Sequence, residues 1–228
     1  MRQSEGRSPV IHIDALRYTA GPGFTLTVPR LEIPAGQRVA VVGPSGTGKT
    51  TLLNLLSGIL VPDTGQITVG DTRVERLSDG ARRAFRARRI GFVFQNFALI
   101  DYLSAFENIL YPARIGAGLS ADAALRARAR DLAGRVGLAH RLTAKPQRMS
   151  QGEQQRTAIC RALLMAPDLV LADEATGNLD PANKALILDL LFEETRRANA
   201  TLIAVTHDHD LLGRFDRVVD FAAFGSVP

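Results

Sequence analysis

The stretch Gly43-Pro44-Ser45-Gly46-Thr47-Gly48-Lys49-Thr50 constrains this chain more than any other. Before it, Val39-Ala40-Val41-Val42 is an apolar run without polar alternation, which predicts a buried strand. After it, Thr51-Leu52-Leu53-Asn54-Leu55-Leu56 predicts a helix with leucines on a buried face. Strand, glycine turn and helix with the spacing G-x-x-x-x-G-K-T form the phosphate-binding loop pattern. The ligand explains the residue types. Backbone N–H groups can close around a polyphosphate only where no Cβ keeps them off. The helix N-terminus adds partial positive charge. Lys49 supplies a compact charge for the β- and γ-phosphates, and Thr50 offers its hydroxyl to Mg²⁺. An ordinary strand–helix turn has no need of Lys-Thr after its last glycine.

Composition narrows the class. A chain of 228 residues with 46% hydrophobic and 22% charged residues is expected to form one medium domain with its own core. No window approaches 18 uninterrupted apolar residues, so no membrane span is expected, and Met1 to Pro9 lacks the apolar centre of a signal peptide. The single cysteine, Cys160, fits a reducing compartment and reads as a small buried hydrophobe. Net charge is +5, carried almost wholly by arginine, since Lys49, Lys145 and Lys184 are the only lysines. The densest basic group, Arg82, Arg83, Arg86, Arg88 and Arg89, fits one exposed, solvated helix face better than a nucleic-acid groove, and no nucleic-acid partner is expected.

Along the chain, Ile11-His12-Ile13 and Phe24 to Val28 read as strands joined by Ala20-Gly21-Pro22-Gly23, with Leu31-Glu32-Ile33 as a third short strand. Ile67-Thr68-Val69 and Thr72-Arg73-Val74 flank Gly70-Asp71 as a hairpin. Leu77 to Arg89 reads as a basic helix, and Ile90 to Phe94 as a strand stopping at Gln95. From Ala98 to Leu142 the signals are helical, with Ser120 the candidate cap of a long helix through Leu125, Leu132 and Val136. Strands return at Leu169 to Ala172 and Thr201 to Val205, around a helix from Asn183 to Ala198. The expected fold is α/β: a parallel core, an N-terminal antiparallel β layer and an inserted helical block.

Three further groups are candidates for the same chemistry. Asp173-Glu174 ends a strand and would lie beside the phosphate loop if the two strands are neighbours. Asp173 would then hold Mg²⁺ through water and Glu174 would polarise the attacking water; otherwise the pair is a solvated strand end. His207 ends the next strand in the same way and is a candidate partner for the γ-phosphate, and Gln95 for Mg²⁺ or the water, although single residues of either type usually do nothing. Ser150-Gln151-Gly152-Glu153 opens a helix with a capping box. The box does not account for Gly152, which weakens a helix in its first turn unless a phosphate approaches there.

Together these residues resemble the ATP-binding subunits of ABC transporters from about Val10 to Phe221. GPSGTGKT is similar to the family's Walker A motif, Gln95 to its Q-loop, MSQGEQQR to its signature, LVLADE to its Walker B motif, Asn178-Leu179-Asp180 to its D-loop and His207 to its switch histidine. Tyr18 stands where the family stacks an aromatic ring on adenine. IGFVFQNFALI with LADEATGNLD resembles the branch serving lipoprotein release, macrolide-type efflux and cell division. Gln151, Met149 and Ala175 depart from the usual glycine, leucine and proline.

The resemblance implies a P-loop NTPase fold with a RecA-like parallel sheet, residues 1–96 and 157–228 forming the nucleotide-binding core and 97–156 the helical subdomain. It implies ATP and Mg²⁺ as cofactors. Gly43, Pro44, Ser45, Gly46, Thr47, Gly48, Lys49, Thr50, Thr51 and Tyr18 would bind ATP, with Ser150, Gly152 and Asp180 acting across a head-to-tail homodimer. Thr50, Gln95 and Asp173 would serve the metal, and Glu174, His207, Gln95 and Lys49 the hydrolysis. A separate transmembrane permease chain and a place on the cytoplasmic face of the membrane are implied as well, with export or extraction favoured over import. Two other readings compete: a soluble ABC ATPase of DNA repair or translation, which usually carries coiled coils, zinc insertions or a second cassette, and a module that binds ATP without hydrolysing it.

Overall fold

The computed structural model describes residues 9–21, 23–115, 121–177, 181–224 and 226–227. The strands are β1 (Pro9–Thr19), β2 (Thr25–Pro34), β3 (Arg38–Val42), β4 (Thr64–Val69), β5 (Thr72–Arg73), β6 (Ile90–Val93), β7 (Leu169–Asp173), β8 (Thr201–Val205), β9 (Arg217–Asp220) and β10 (Ser226–Val227). The helices are α1 (Lys49–Leu56), α2 (Asp79–Arg89), α3 (Ala105–Ile115), α4 (Ala123–Arg135), α5 (Gln151–Leu163) and α6 (Pro181–Arg197).

The strands form two sheets. One is antiparallel, in the order β10-β2-β1-β4-β5, and the other is parallel, in the order β6-β7-β8-β3-β9. The inner strands β7, β8 and β3 show no polar alternation because both of their faces are covered, whereas the edge strand β9 leaves Arg217, Val218 and Asp220 exposed. On β7, Leu169 and Leu171 face a core shared with α1 and the antiparallel sheet, whereas Val170 and Ala172 face a second core built with α3 to α6. Helix α1 buries Leu52, Leu53, Leu55 and Leu56 completely. At about 1.5–3 kcal/mol for each leucine withdrawn from water, that packing holds the helix start rigidly against the end of β3. The parallel, α/β core with an antiparallel layer is the architecture expected from the pattern of strands and helices.

Several expectations change. Leu31-Glu32-Ile33 is not a separate strand but the second half of β2. The buried positions of β2 switch phase, from Leu26 and Val28 to Leu31 and Ile33, and those of β1 switch opposite them, from Leu16 to Ile11 and Ile13. Ala15 sits at the switch with a left-handed backbone (φ 46), and the β1–β4 register shifts between Asp14 and Arg17. A bulge that flips the period-2 pattern reads as a break in the sequence. Ser120 lies outside the described residues; the cap of α4 is Asp122, whose side chain accepts from the Leu125 N–H at 2.8 Å. The basic face of α2 is only partly solvated: Arg82 donates to the Leu77 carbonyl and Arg86 to that of Gly58, each at 2.8 Å. Cys160 is buried, and that burial pushes its thiol up to about 12, so it is inert as a nucleophile.

Candidate active site

The site forms at the carboxyl ends of β3, β7 and β8, where open α/β sheets bind ligands. Strand β3 runs out at Val42 into the glycine loop. Gly43 (φ 145) and Gly48 (φ 95) take backbone conformations that L-side chains rarely adopt, and a Cβ on Gly48 would lie 2.8 Å from the ring tip of Phe24. The loop is closed from inside by Lys49, which is buried and whose Nζ donates to the carbonyls of Gly43 at 2.8 Å and Pro44 at 2.7 Å. Thr47 Oγ1 also donates to the Pro44 carbonyl, at 2.9 Å. A cavity of about 300 Å³ opens on the loop, lined by Ser45, Gly46, Gly48, Lys49, Thr50 and Thr51. Phe24, Glu174 and His207 form its other walls.

Asp173 is expected beside the loop on the condition that β7 and β3 are neighbours. They are not: β8 lies between them. The contact forms all the same, because Thr50, in the first turn of α1, donates its hydroxyl to Asp173 Oδ2 at 2.9 Å. Burial pushes the Asp173 carboxyl above the ordinary aspartate range, and the Thr50 hydrogen bond pulls it only partly back, with Glu174 adding to the rise. A hydroxyl and an underscreened carboxylate at hydrogen-bond distance are hard oxygen donors suited to a divalent cation.

Glu174 is the centre of the second half of the site. Its backbone is left-handed (φ 49), a strain of about 1–3 kcal/mol of the kind found at functional positions. The strain is held from both sides: its N–H donates to the Val205 carbonyl at 3.1 Å and its carbonyl accepts from the Gly177 N–H at 2.9 Å. The side chain turns back between two neighbours. Gln95 Nε2 donates to Oε2 at 2.9 Å, and His207 Nε2 meets Oε1. Glu174 and His207 also line an adjoining cavity of about 480 Å³, shared with Gln95, Thr176 and Thr206. Gln95, expected to serve the metal or the attacking water, donates here to the carboxylate of Glu174.

The remaining candidates fall in other places. Tyr18 is half-buried, pairs with Leu26 in register and packs against the N-terminal core; it is not among the residues lining the cavity. The aromatic ring on the wall is Phe24, which reads from the sequence as a strand residue with no link to the loop. Its alternation with Leu26 and Val28 was the available signal. Ser150 and Gly152 line neither cavity. Ser150 caps α5, accepting from Glu153 N at 3.2 Å while its own N–H donates to Glu153 at 2.8 Å, so the expected capping box forms. A Cβ on Gly152 would meet only the Arg156 guanidinium at 3.9 Å, so nothing within one chain demands a glycine there. Asp180 lies outside the described residues.

Known proteins of one family are similar to this chain. A protein-family model described as ABC transporter matches residues 26–177. A "Lipoprotein-releasing system ATP-binding protein LolD" of Geobacter metallireducens is 46% identical over 193 residues, covering 83% of this chain and 85% of that protein. An uncharacterized ABC transporter ATP-binding protein of Mycobacterium tuberculosis, Rv0986, is 42% identical over 226 residues, covering 97% and 90%. Among solved structures, a dimeric post-hydrolysis state of the ATP-binding cassette MJ0796 bound to ADP and Pi aligns with a TM-score of 0.78 at 29% identity, covering 92% of this chain and 93% of that one.

Proposed function

This chain belongs to the ABC transporter family and is an ATP-hydrolysing subunit of it; from that premise we propose that it powers release of lipid-anchored proteins from a membrane, or a closely related export. It does so as one half of a homodimer docked on a permease at the cytoplasmic face. The observation that carries the reading is the meeting of Lys49, Thr50 and Asp173 with Glu174, Gln95 and His207 around adjoining cavities. The relatives named above are transporter subunits, which removes the support for a soluble ATPase of DNA repair or translation. A module that only binds ATP would have no use for a strained glutamate held between a glutamine and a histidine.

The roles follow from the contacts. The loop N–H groups and Lys49 bind the β- and γ-phosphates. Thr50 and Asp173 would hold Mg²⁺, which when bound supplies charge compensation for the triphosphate. Glu174 accepts a proton from the attacking water, Gln95 keeps its carboxylate aimed, and His207 stabilises charge developing on the γ-phosphate. Phe24 or Tyr18 flanks the base. Ser150 and Gly152, which line neither cavity in one chain, serve the nucleotide of a second copy, in keeping with the dimeric relative MJ0796. Among the described residues no helix is long and apolar enough to cross a membrane, so the membrane step rests with a partner. An apolar groove of about 450 Å³, lined by Ile59, Phe92, Phe94, Tyr111, Ile115 and Met165 among others, offers that partner a seat.

The test is affinity purification of the full chain from detergent-solubilised membranes of its host. The expected result is recovery of a permease in fixed ratio with the cassette. Recovery of ribosomes or DNA in place of a permease would contradict the reading.

A further inference from the structure

We propose that Arg161 is a positioning residue for hydrolysis: it locks the segment after Gln95 in a strained backbone and so ties the partner groove and helix α5 to Glu174. The inference rests on the functional reading above and adds a residue to which neither the motifs nor the roles just described assign a part.

Three observations carry it. Phe97 (φ 61) and Ala98 (φ 47) are consecutive non-glycine residues in the left-handed region, which costs each of them free energy. Local backbone bonds make the turn tight, Phe97 N to the Phe94 carbonyl at 3.0 Å and Ala98 N to the Asn96 carbonyl at 2.6 Å, but they leave the carbonyls of Phe97 and Ala98 pointing inward. The Arg161 guanidinium takes both, Nη2 donating to Phe97 O at 2.6 Å and Nη1 to Ala98 O at 2.5 Å. Two nitrogens of one planar fork on two adjacent carbonyls hold both peptide planes at once, which a single ammonium holds less firmly.

The surroundings make this bracket a connector. Arg161 is 9% exposed, so losing the two carbonyls would leave a largely buried guanidinium short of acceptors. Gly91 on β6 allows α5 to approach closely, since a Cβ there would lie 2.4 Å from the Ala162 carbonyl. Arg161 and Ala98 both line the apolar groove, and Gln95, two residues before Phe97, donates to Glu174. The N-terminus of α5 carries Ser150 and Gly152. A partner pressing on the groove therefore acts on the same guanidinium that fixes the turn behind Gln95.

The experiment uses Arg161→Lys, Ala98→Gly, Gln95→Ala and their pairs in the full chain, with kcat, KM for ATP and thermal midpoint measured for each. Arg161→Lys is expected to lower kcat about tenfold, the equivalent of one charge-assisted bond, with KM within twofold. Ala98→Gly alone, which keeps both carbonyls on Arg161, sets the kcat against which the pair is read. Combined with Arg161→Lys it recovers at least threefold, because glycine accepts the left-handed turn without a bracket. In the Gln95→Ala background Arg161→Lys subtracts less than twofold, since the route is already cut. A kcat within twofold of the original, a loss shared equally by KM, or losses that multiply with Gln95→Ala would overturn the proposal. So would loss of folding that Ala98→Gly fails to restore, which assigns Arg161 to stability alone. Glu174→Gln run in parallel separates the two readings. If it remains active the ATPase mechanism itself is wrong; if it is dead while Arg161→Lys is normal, only the bracket falls.

Discussion

Glu174→Gln slows ATP turnover at least about 100-fold while the affinity for ATP stays within about threefold of the original, the loss expected when a positioned general base is removed. The substitution is isosteric, so the loop, Lys49 and the Thr50–Asp173 contact keep their geometry. Gln95 and His207 keep a partner atom at the same place, but an amide cannot take the proton from water. The substitution thus removes chemistry without removing binding, and nucleotide stays bound unhydrolysed. Phosphate release measured beside equilibrium nucleotide binding checks both halves. Turnover within a few-fold of the original would move the base elsewhere, and a matching loss of binding would show that Glu174 serves the fold of the site.

Lys49→Ala has the complementary effect. It is expected to weaken ATP binding about 10- to 100-fold or more, since a charge-assisted contact to phosphate contributes about 1.5–3 kcal/mol. It also leaves the carbonyls of Gly43 and Pro44 without the donor that shapes the loop. Thermal unfolding reads this directly. Ligand at about 100 times its Kd stabilises by about 2.7 kcal/mol, a shift of about 5–11 °C for a chain of this size. The original chain should show that shift with Mg²⁺–ATP, and Lys49→Ala at the same concentration should keep about half of it if its affinity is tenfold weaker and about a sixth if it is 100-fold weaker. An undiminished shift would place the nucleotide away from this loop.

The glycine loop, β3, β7 and β8 were legible because both faces of those strands are covered and their apolar runs have no competing period. The positions of Lys49, Thr50 and Glu174 followed from the motifs and the carboxyl-edge rule. What was not legible depended on chain packing. The strand order put β8 between β3 and β7, and the Thr50–Asp173 contact survives because α1 brings Thr50 across to it. The bulge at Ala15 flipped the alternation of β1 and β2 together, so one strand read as two. The contact of Gln95 with Glu174, 79 residues away, could not be read from the sequence, which offered Gln95 only as a metal or water ligand. Arg161 was hidden for the same reason: a lone arginine inside an apolar helical stretch has no motif, and its importance comes from two carbonyls more than sixty residues earlier.

The central claim is that these distant residues converge on one magnesium-bound triphosphate, completed by a second copy. The most direct measurement is a crystal structure of Glu174→Gln grown with Mg²⁺–ATP. The triphosphate is expected inside the loop, with Lys49 on its terminal phosphates and Mg²⁺ at about 2.1 Å from Thr50 Oγ1. The α5 N-terminus of a second chain is expected to face the γ-phosphate. ATP bound outside the Gly43 to Thr50 loop, or a γ-phosphate out of reach of both His207 and the substituted side chain, would contradict the claim.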